Sequence, residues 1–318
     1  MPSKRSAILF PGQGSQEKGM GRDLAEKQSQ SMDIWKMAEK ISGHPLREIF
    51  WDGTPKDMSR TEYLQPALTV ASLNLWFFFK DSLGVQAVAG HSLGEYCALC
   101  ASKVLGLEQT LELVSLRGRL MAESGRDSSG AMAAILKLDQ SRVEQLCSNQ
   151  GRNTDQVLVI ANYNTPRQFV VSGELEAVQA MEPLVSDARG RFVRLPVSGA
   201  FHTPLMEEAA RELAGMMNKM DWQIPDCDIY FNSTAAREKN PEKIKKLMQK
   251  QMISPVYFIQ LIENMEENRV KQYIEIGPKG VLSRMVPQIL GPEKDAAAIN
   301  LSNPDDGDKL ISTEQQDA

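Results

Sequence analysis

Apolar residues in the first third of the chain change repeatedly between short runs and helical spacing. The runs at 7–10 and 85–89 predict buried strands. The stretch 66–80 predicts a buried helix with its proline tolerated at the start, and the spacing at 95–101 and 107–123 predicts two more helices. Strands that alternate with helices predict a mostly parallel sheet covered on both faces.

The middle of the chain, residues 131–198, has a different order of elements. Strands are expected at 131–136, 157–161, 168–172 and 191–195, and helices at 140–148 and 175–188. The order strand-helix-strand-strand-helix-strand is that of a small ferredoxin-like unit. We therefore expect this unit to be inserted into a larger domain.

After residue 203 the alternation of helix and strand resumes. Helices are expected at 204–219, 241–251 and 256–267, and strands at 229–232 and 272–276. The predicted fold class is α/β, a hydrolase-like and mostly parallel sheet flanked by helices, with an inserted small ferredoxin-like subdomain. We expect the large subdomain to comprise 1–130 and 199–302, the small one 131–198, and the polar segment 303–318 to be a loose tail.

Composition places the chain among globular proteins. Of its 318 residues, 42% are hydrophobic and 24% are charged, which is close to globular averages. The net charge of −5, with no long basic run, argues against a nucleic-acid partner. The longest apolar stretch, 73–79, is too short for a bilayer span, and the run at 7–10 is too short for a signal-peptide core. We expect a cytoplasmic protein without a membrane partner, and nothing in the sequence demands more than a monomer.

The four cysteines include one Cys-x-x-Cys pair, Cys97 and Cys100. A zinc site would need a second pair, and Cys147 and Cys227 are isolated. A thioredoxin-like site would need exposed, electropositive surroundings, whereas this pair lies on an apolar helix. We therefore expect reduced thiols in the core, with no metal and no permanently bound cofactor.

The segment Gly90-His-Ser-Leu-Gly94 matches the Gly-x-Ser-x-Gly signature of a sharp turn between a strand and a helix. Such a turn holds the serine hydroxyl clear of the backbone, and side chains at the glycine positions would collide with neighbouring elements. Chance supplies about one match in ten chains of this length. Here an apolar strand precedes the turn and a helix follows it, so Ser92 is the candidate nucleophile.

A serine nucleophile needs a base, and the chain has three histidines. His91 adjoins Ser92 but must point away from it at such a turn, and His44 lies in a Ser-Gly-His-Pro turn. His202 follows a strand and precedes a helix, where active-site residues of α/β folds gather. Elimination makes His202 the candidate base, and an ordinary loop histidine is the alternative.

The loop Gly12-Gln13-Gly14 looks like a phosphate-binding loop but fails both glycine-rich signatures. The dinucleotide pattern has Glu17 in place of its third glycine, and the P-loop spacing to Gly19 is followed by Met20 rather than lysine. A loop after the first strand can instead offer backbone N–H groups to an oxyanion, with the N–H of Leu93 as a second donor. A plain tight turn is the alternative.

Several blocks of sequence occur in an order and at distances that resemble one enzyme family. The blocks are 10–16 (FPGQGSQ), 90–95 (GHSLGE), Arg117-Gly118, 130–134 (GAMAA), 197–202 (VSGAFH) and 275–278 (EIGP). Together they are similar to malonyl-CoA:acyl carrier protein transacylases, stand-alone relatives of the acyltransferase domains of fatty acid and polyketide synthases. The resemblance, over about residues 6–300, implies transfer of malonyl from malonyl-CoA to the phosphopantetheine thiol of holo acyl carrier protein by a ping-pong serine acyl-enzyme mechanism.

The resemblance also implies roles for individual residues. Ser92 would attack the thioester, and His202 would take and return its proton. The N–H groups of Gln13 and Leu93 would stabilise the oxyanion. Arg117 would bind the malonyl carboxylate, because a planar guanidinium can pair with both carboxylate oxygens at once.

Three more residues match positions of the family. Gln251 matches the glutamine whose backbone carbonyl orients the histidine, and Asn162 matches a pocket asparagine. Phe201 resembles the malonyl-selecting pattern, because relatives that accept methylmalonyl tend to have serine there. A bulky ring would crowd a methyl branch, so the resemblance predicts preference for malonyl over methylmalonyl.

The sequence departs from the family pattern at two places. Tyr257 and Phe258 stand where an arginine or glutamine and then a tryptophan are common, and Lys279-Gly280 inverts the usual glycine-lysine order. Both places lie outside the catalytic set. We therefore expect differences in local packing rather than in chemistry.

One other class of protein remains an alternative, and two more fit the residues less well. A proofreading acyl hydrolase of acyl carrier protein thioesters would use the same nucleophile on uncharged acyl chains, which do not require an arginine at position 117. A patatin-like lipase would pair the serine with Asp-Gly-Gly or Asp-Gly-Ala, whereas Asp52-Gly and Asp306-Gly are followed by threonine and aspartate. A scaffold that only docks carrier protein would not need every reacting group.

A carrier-protein partner sets a requirement on surface charge. Carrier proteins are usually acidic and this chain is itself −5, so docking needs a local basic patch. Candidates are Arg189, Arg191 and Arg194 beside the small unit, and Lys243, Lys245 and Lys246 on the helix that leads to Gln251.

Overall fold

The computed structural model describes residues 5–127, 130–197 and 199–310. Its first part alternates strands with helices. The elements are β1 (Arg5–Phe10), α1 (Arg22–Lys27), α2 (Ser29–Ser42), α3 (Pro55–Met58), α4 (Thr61–Phe79), β2 (Val85–Gly90), α5 (Gly94–Ala101) and α6 (Leu107–Asp127). A single π-helical turn, Glu48–Asp52, lies between α2 and α3.

The middle and last parts continue in chain order. The middle part contains β3 (Gly130–Leu136), α7 (Gln140–Thr154), β4 (Leu158–Thr165), β5 (Gln168–Glu174), α8 (Leu175–Asp187) and β6 (Arg191–Arg194). The last part contains α9 (Glu207–Met217), β7 (Asp228–Tyr230), β8 (Arg237–Glu238), α10 (Pro241–Lys250), α11 (Phe258–Glu267), β9 (Val270–Ile276), α12 (Val281–Leu290) and β10 (Ala297–Leu301).

The strands form two sheets. The larger has six strands in the order β10-β9-β1-β2-β7-β8, and all its pairs are parallel except β7 with β8. The smaller has four antiparallel strands in the order β4-β5-β3-β6. This second sheet carries α7 and α8 and has the strand order of a ferredoxin-like unit. The predicted α/β fold class, with its inserted small unit, is confirmed.

Apolar side chains of β1 point alternately into two different cores. Ile8 and Phe10 pack with α4 and α5, whereas Ala7 and Leu9 pack with α11 and α12. A central parallel strand is buried on both faces in this way, which explains why β1 reads as one continuous apolar run. The strands β1 and β2 end at Phe10 and Gly90, which pair with each other, so the loops that follow them lie side by side.

The sequence prediction was incomplete near both ends of the chain. It had no element for α1, α2, α12 or β10. The segments α1 and β10 are short, whereas α2 and α12 have the apolar spacing of amphipathic helices and could have been predicted. It also placed the start of α4 at Pro66, whereas the helix begins at Thr61 and Pro66 lies inside it. Nearly every residue of α4 is buried, so packing outweighs the hydrogen bond that the proline removes.

The predicted loose tail is wrong at its start. Asn303 caps a short 3-10 helix, Pro304–Gly307, through a reciprocal capping box with Asp306. Residues 311–318 lie outside the described part of the chain. The bounds proposed for the large and small subdomains remain predictions.

The structure bears on two expectations, the buried cysteine pair and the membrane spans. Cys97 and Cys100 are free thiols buried in the core of α5, and burial raises the pKa of both, so the core interpretation of this pair is confirmed. Over the described ranges, none of the helices is long and apolar enough to cross a membrane.

Candidate active site

Ser92 lies on a tight turn between β2 and α5, with a left-handed φ of 50°. The glycines on either side are required by close backbone approaches. A Cβ on Gly90 would lie 1.8 Å from the carbonyl carbon of Gly94, and one on Gly94 would lie 2.0 Å from the carbonyl oxygen of Phe10. The Gly-x-Ser-x-Gly pattern therefore reflects how closely α5 starts against the sheet.

His202 contacts the serine hydroxyl directly. Its Nε2 lies 2.8 Å from Oγ of Ser92, while its Nδ1 lies 2.9 Å from the carbonyl oxygen of Ser254 and 3.2 Å from that of Gln251. Carbonyls only accept hydrogen bonds, so Nδ1 carries the proton and Nε2 is free to accept the hydroxyl proton.

Burial keeps this imidazole neutral. His202 is 4% exposed, and burial first, then the positive charge of Arg117, lower its pKa to about 3. At neutral pH the ring is therefore in the form that can act as a base.

Arg117 on α6 is a buried cation beside the hydroxyl, with an exposed fraction of 1%. Its Nη1 donates to Oε1 of Gln65 at 2.8 Å, Nε to Oε1 of Gln251 at 3.2 Å, and Nη2 to Oγ of Ser92 at 3.1 Å. The guanidinium also lies 5.5 Å from the ring centroid of Tyr96. None of the carboxylates in the described ranges forms an ion pair with it. Burial lowers its pKa, yet a guanidinium stays charged, and the side chains that accept its hydrogen bonds are all neutral.

The serine turn is held from behind by polar side chains. Asn232, which follows β7, accepts from the N–H of Ser92 and donates to the carbonyl oxygen of Gly90, both at 2.7 Å. Gln251 donates from Nε2 to the carbonyl oxygen of Ser92 at 2.7 Å. The buried carboxylate of Glu95 accepts from both Asn232 and Gln251.

The serine opens into a cavity of about 250 Å³ between the two sheets. Its wall includes most of the residues singled out in the sequence: Gln13, Ser92, Leu93, Arg117, Asn162, Phe201 and His202. Gln251 does not line it but contacts Arg117 and His202 from outside. Within the described ranges, no acceptor is bound to the backbone N–H of Gln13 or of Leu93.

The other two histidines do not bond the serine hydroxyl, although His91 forms part of the cavity wall. His91 points away from the hydroxyl, bonds through Nε2 to Oδ1 of Asn164 at 2.8 Å, and packs on the ring of Phe258. His44 packs against Tyr63 with ring centroids 4.6 Å apart. His91 thus points away from the hydroxyl as expected, and His44 is partly buried in its turn.

The residues that depart from the family pattern pack around the site. Phe258 covers His91, and Tyr257 packs against Tyr163 of the small sheet with ring centroids 5.1 Å apart. Lys279 and Gly280 both have left-handed φ values, 66° and 59°. The glycine is needed at 280, because a Cβ there would lie 3.1 Å from Asn300.

Sequence reasoning missed four residues that hold the site, namely Gln65, Glu95, Asn232 and Ser254. A signal existed for Glu95, which ends the block 90–95, and for Asn232, which ends the predicted strand 229–232. No sequence pattern marked Gln65. Ser254 contributes only its backbone carbonyl, which any residue could supply, so its residue type carries no signal. In the described residues, no group of three or more His, Cys, Asp or Glu side chains could hold a metal ion.

Comparison with known proteins gives the class first. A family model described as "Acyl transferase domain" matches residues 8–317, which makes the protein an acyltransferase. The malonyl CoA-acyl carrier protein transacylase of Staphylococcus aureus (strain MW2) is 36% identical over 286 residues, 90% of this chain and 92% of that one. The protein of the same name from Haemophilus influenzae is 32% identical and covers 94% of this chain and 96% of its own. The chain belongs to the malonyl CoA-acyl carrier protein transacylase family.

Solved structures agree with this assignment. The acyl carrier protein S-malonyltransferase of Vibrio cholerae superposes with a TM-score of 0.89 at 33% identity, over 96% of this chain and 99% of that one. A malonyl-transacylase in complex with its type II polyketide synthase acyl-carrier protein gives a TM-score of 0.90 at 31% identity, over 98% and 99% of the two chains.

Proposed function

We propose that the protein transfers malonyl from malonyl-CoA to the phosphopantetheine thiol of an acyl carrier protein through a malonyl ester of Ser92. In the first half-reaction, Oγ of Ser92 attacks the thioester carbonyl carbon while Nε2 of His202 takes the hydroxyl proton. The negative charge moves to the carbonyl oxygen, where the N–H groups of Gln13 and Leu93 stabilise it. The C–S bond then breaks, and His202 returns its proton to the leaving thiolate of CoA.

The second half-reaction reverses these roles. The carrier thiol loses its proton to His202 and attacks the ester carbonyl, and Ser92 leaves and regains the proton. Nδ1 of His202 stays bonded to the carbonyls of Ser254 and Gln251 throughout, so the ring can hold the transient positive charge without an aspartate partner.

The observation that carries this proposal is the buried, unpaired charge of Arg117. Three of the five N–H groups of an arginine are occupied here by Gln65, Gln251 and Ser92. The remaining two, one on each terminal nitrogen, are equal in number to the two oxygens of a carboxylate. A malonyl group is an acyl chain with such a carboxylate at its far end, and its binding would neutralise a charge that burial makes costly.

Replacement of Arg117 by Ala tests the proposal. We expect malonyl transfer to fall at least about 100-fold, because the lost bond joins two charged groups in a buried site. Arg119, two residues along α6, is half exposed and pairs with Glu123 and Glu212. Arg119→Ala is the matched control and should transfer malonyl at the wild-type rate. Unchanged transfer in Arg117→Ala would favour a hydrolase of uncharged acyl thioesters.

Mass spectrometry of the intact protein separates the half-reactions. Malonyl-CoA should add one malonyl group to the wild type and none to Ser92→Ala. Holo carrier protein should remove the added mass, and apo carrier protein should not. Discharge by water at the same rate would identify a hydrolase instead.

The arginine patch beside the small sheet is the better candidate for carrier docking. Arg189, Arg191 and Arg194 form no ion pairs with any described residue. On α10, Lys243 and Lys245 are paired with Glu238 and Glu242, and only Lys246 is unpaired among the described residues. Free positive charge is what attracts an acidic partner.

Strand register singles out one of these arginines. Arg191 pairs with Leu136, which pairs in turn with Gln168, a residue of the cavity wall. Because side chains directly opposite each other share a face of a sheet, Arg191 lies on the face that borders the cavity. We infer that an acidic carrier reaches Ser92 past Arg191.

A further inference from the structure

Glu95 is a buried carboxylate behind the serine turn, 2% exposed. It accepts from the backbone N–H of Asn232 at 2.7 Å through Oε1 and from Nε2 of Gln251 at 2.8 Å through Oε2. No described lysine, arginine or histidine forms an ion pair with it. Both of its oxygens therefore face N–H donors and neither faces an acceptor.

The two donors are the groups that hold the turn. The side chain of Asn232 bridges the backbone on either side of His91, since it binds the carbonyl oxygen of Gly90 and the N–H of Ser92. Fixing the backbone of Asn232 through Glu95 therefore fixes the φ of 50° at Ser92 from outside.

Gln251 connects the same carboxylate to Arg117. Its Nε2 donates to Glu95 and to the carbonyl oxygen of Ser92, which leaves Oε1 to accept from Nε of Arg117 at 3.2 Å. An amide can present its two ends in either order. Two acceptors, Glu95 and the carbonyl oxygen of Ser92, both favour the order in which the oxygen faces the guanidinium, and Glu95 is the charged one.

We propose that Glu95 is a positioning residue for acyl transfer, whose ionised carboxylate orients Gln251 toward Arg117 and locks the turn that presents Ser92. The inference rests on Ser92 as the nucleophile of the proposed function. A glutamine at 95 offers one acceptor and one donor, so one of the two contacts would become a repulsion between donors. A protonated Glu95 gains an O–H donor on one oxygen and loses its charge, so it accepts from these two donors more weakly.

Protonation of Glu95 falls in an accessible pH range. Burial raises its pKa to about 7, against the bonds from Asn232 and Gln251 and the charge of Arg117, which lower it. Arg117 on α6 is the charged group that acts on it. Tyr96 on α5 has a pKa raised to about 12 and His202 one lowered to about 3, so both are neutral there.

The experiment measures acylation of Ser92 against pH with two substrates, malonyl-CoA and p-nitrophenyl acetate. The second has no carboxylate for Arg117, so it reports on the serine turn even if the chain transfers no malonyl. For the wild type we expect both rates to fall as the pH drops through about 7. Glu95→Gln should be at least ten-fold slower with both substrates. It should also lose the acid limb of the pH profile, which is the fall in rate below about pH 7.

Two further variants serve as a control and as a second test. Asp228→Asn alters another buried carboxylate, at the opposite end of the sheet, where Arg237 and Lys239 bind it; it should keep the wild-type pH profile. Asn232→Ser retains the N–H that Glu95 accepts, so it should be slower but keep the acid limb, even if Glu95→Gln fails to fold. A wild-type profile without a limb near pH 7, or a limb that persists in Glu95→Gln, overturns the inference.

Discussion

Ser92 and His202, the proposed nucleophile and base, both lie on strained backbone, with φ values of 50° and 61°. A left-handed conformation costs about 1–3 kcal/mol for a residue with a side chain. Local bonds offset part of this cost, those of Asn232 at Ser92 and the bond from Thr203 Oγ1 to the carbonyl of Ala200 beside His202. The motif around Ser92 revealed its turn in the sequence, whereas nothing in the sequence revealed the strain at His202, because it depends on contacts made across the fold.

Two buried groups of the site shift stability with pH in opposite directions. His202 has a pKa of about 3 in the folded protein, below the usual 6.5, so between these values the unfolded chain binds more protons and stability falls as pH falls. Glu95 has a folded pKa of about 7, above the usual 4.5, so across that range the folded protein binds more protons and stability rises as pH falls.

Between pH 4.5 and 6.5 the two effects therefore offset each other. In His202→Gln, the free energy of unfolding should rise on acidification relative to wild type. In Glu95→Gln, the free energy of unfolding should fall on acidification relative to wild type. Each change in slope is at most about 1.4 kcal/mol per pH unit, measurable by urea denaturation at several pH values. Parallel curves for the three proteins would contradict the assignment of both shifts.

Phe201 is the residue on which acyl specificity should depend. It is 4% exposed and forms part of the cavity wall. Phe201→Ser removes the ring, so the ratio of kcat/KM for methylmalonyl-CoA to that for malonyl-CoA should rise about 10- to 100-fold, the range of steric discrimination. Phe78, an exposed ring on α4, supplies the control Phe78→Ser. Equal rates with both CoA esters in the wild type would contradict the role of the ring.

At the scale of elements, α4 and α6 approach unusually closely beside the site. Gly118 of α6 faces α4, and a Cβ there would lie 3.0 Å from the carbonyl oxygen of Thr61 and 3.3 Å from Cβ of Gln65. This contact brings Gln65 within hydrogen-bonding distance of Arg117. The sequence block Arg117-Gly118 marked the pair of residues, but the partner helix could not be identified from it.

Gly118→Ala should separate these helices by a few tenths of an ångström. The bond between Gln65 and Arg117 would lengthen, so KM for malonyl-CoA should rise several-fold while acylation by p-nitrophenyl acetate changes little. A Cβ on Gly215 of α9 would meet nothing within 4 Å. Gly215→Ala is thus the control, and helix propensity predicts about 0.5–1 kcal/mol of added stability. Identical kinetics in the two variants would show that the helix contact does not position Arg117.

Alternation of strands and helices was sufficient to predict the larger sheet and the insertion of the smaller one. Boundaries were less predictable where tertiary packing overrides local preference, as at Pro66 inside α4. The short strand β10 was missed because its residues are only partly buried and carry no strong alternation.

For the whole molecule, charge rather than shape should govern carrier docking. Arg191→Glu should slow transfer from the malonyl-enzyme to carrier protein about ten-fold at low salt, with less effect at high salt. Formation of the malonyl-enzyme should not change. Lys103→Glu makes the same charge change at the far end of α5, where Lys103 pairs with Asp226, and should leave both steps unaltered. An equal loss in both half-reactions would exclude a docking role for Arg191.

The small sheet is tied to the base through a short segment of the large unit. Val256 exchanges backbone hydrogen bonds with Ala161 and Tyr163 of β4, at 2.8 and 2.9 Å. Two residues earlier, the carbonyl of Ser254 binds His202. An engineer who exchanges the small unit for that of a relative, to change which carrier is served, would thus also disturb the histidine. Such a chimera should include residues 255–257 with the transplanted unit, so that Val256 and β4 come from one protein while Ser254 and His202 stay together in the other.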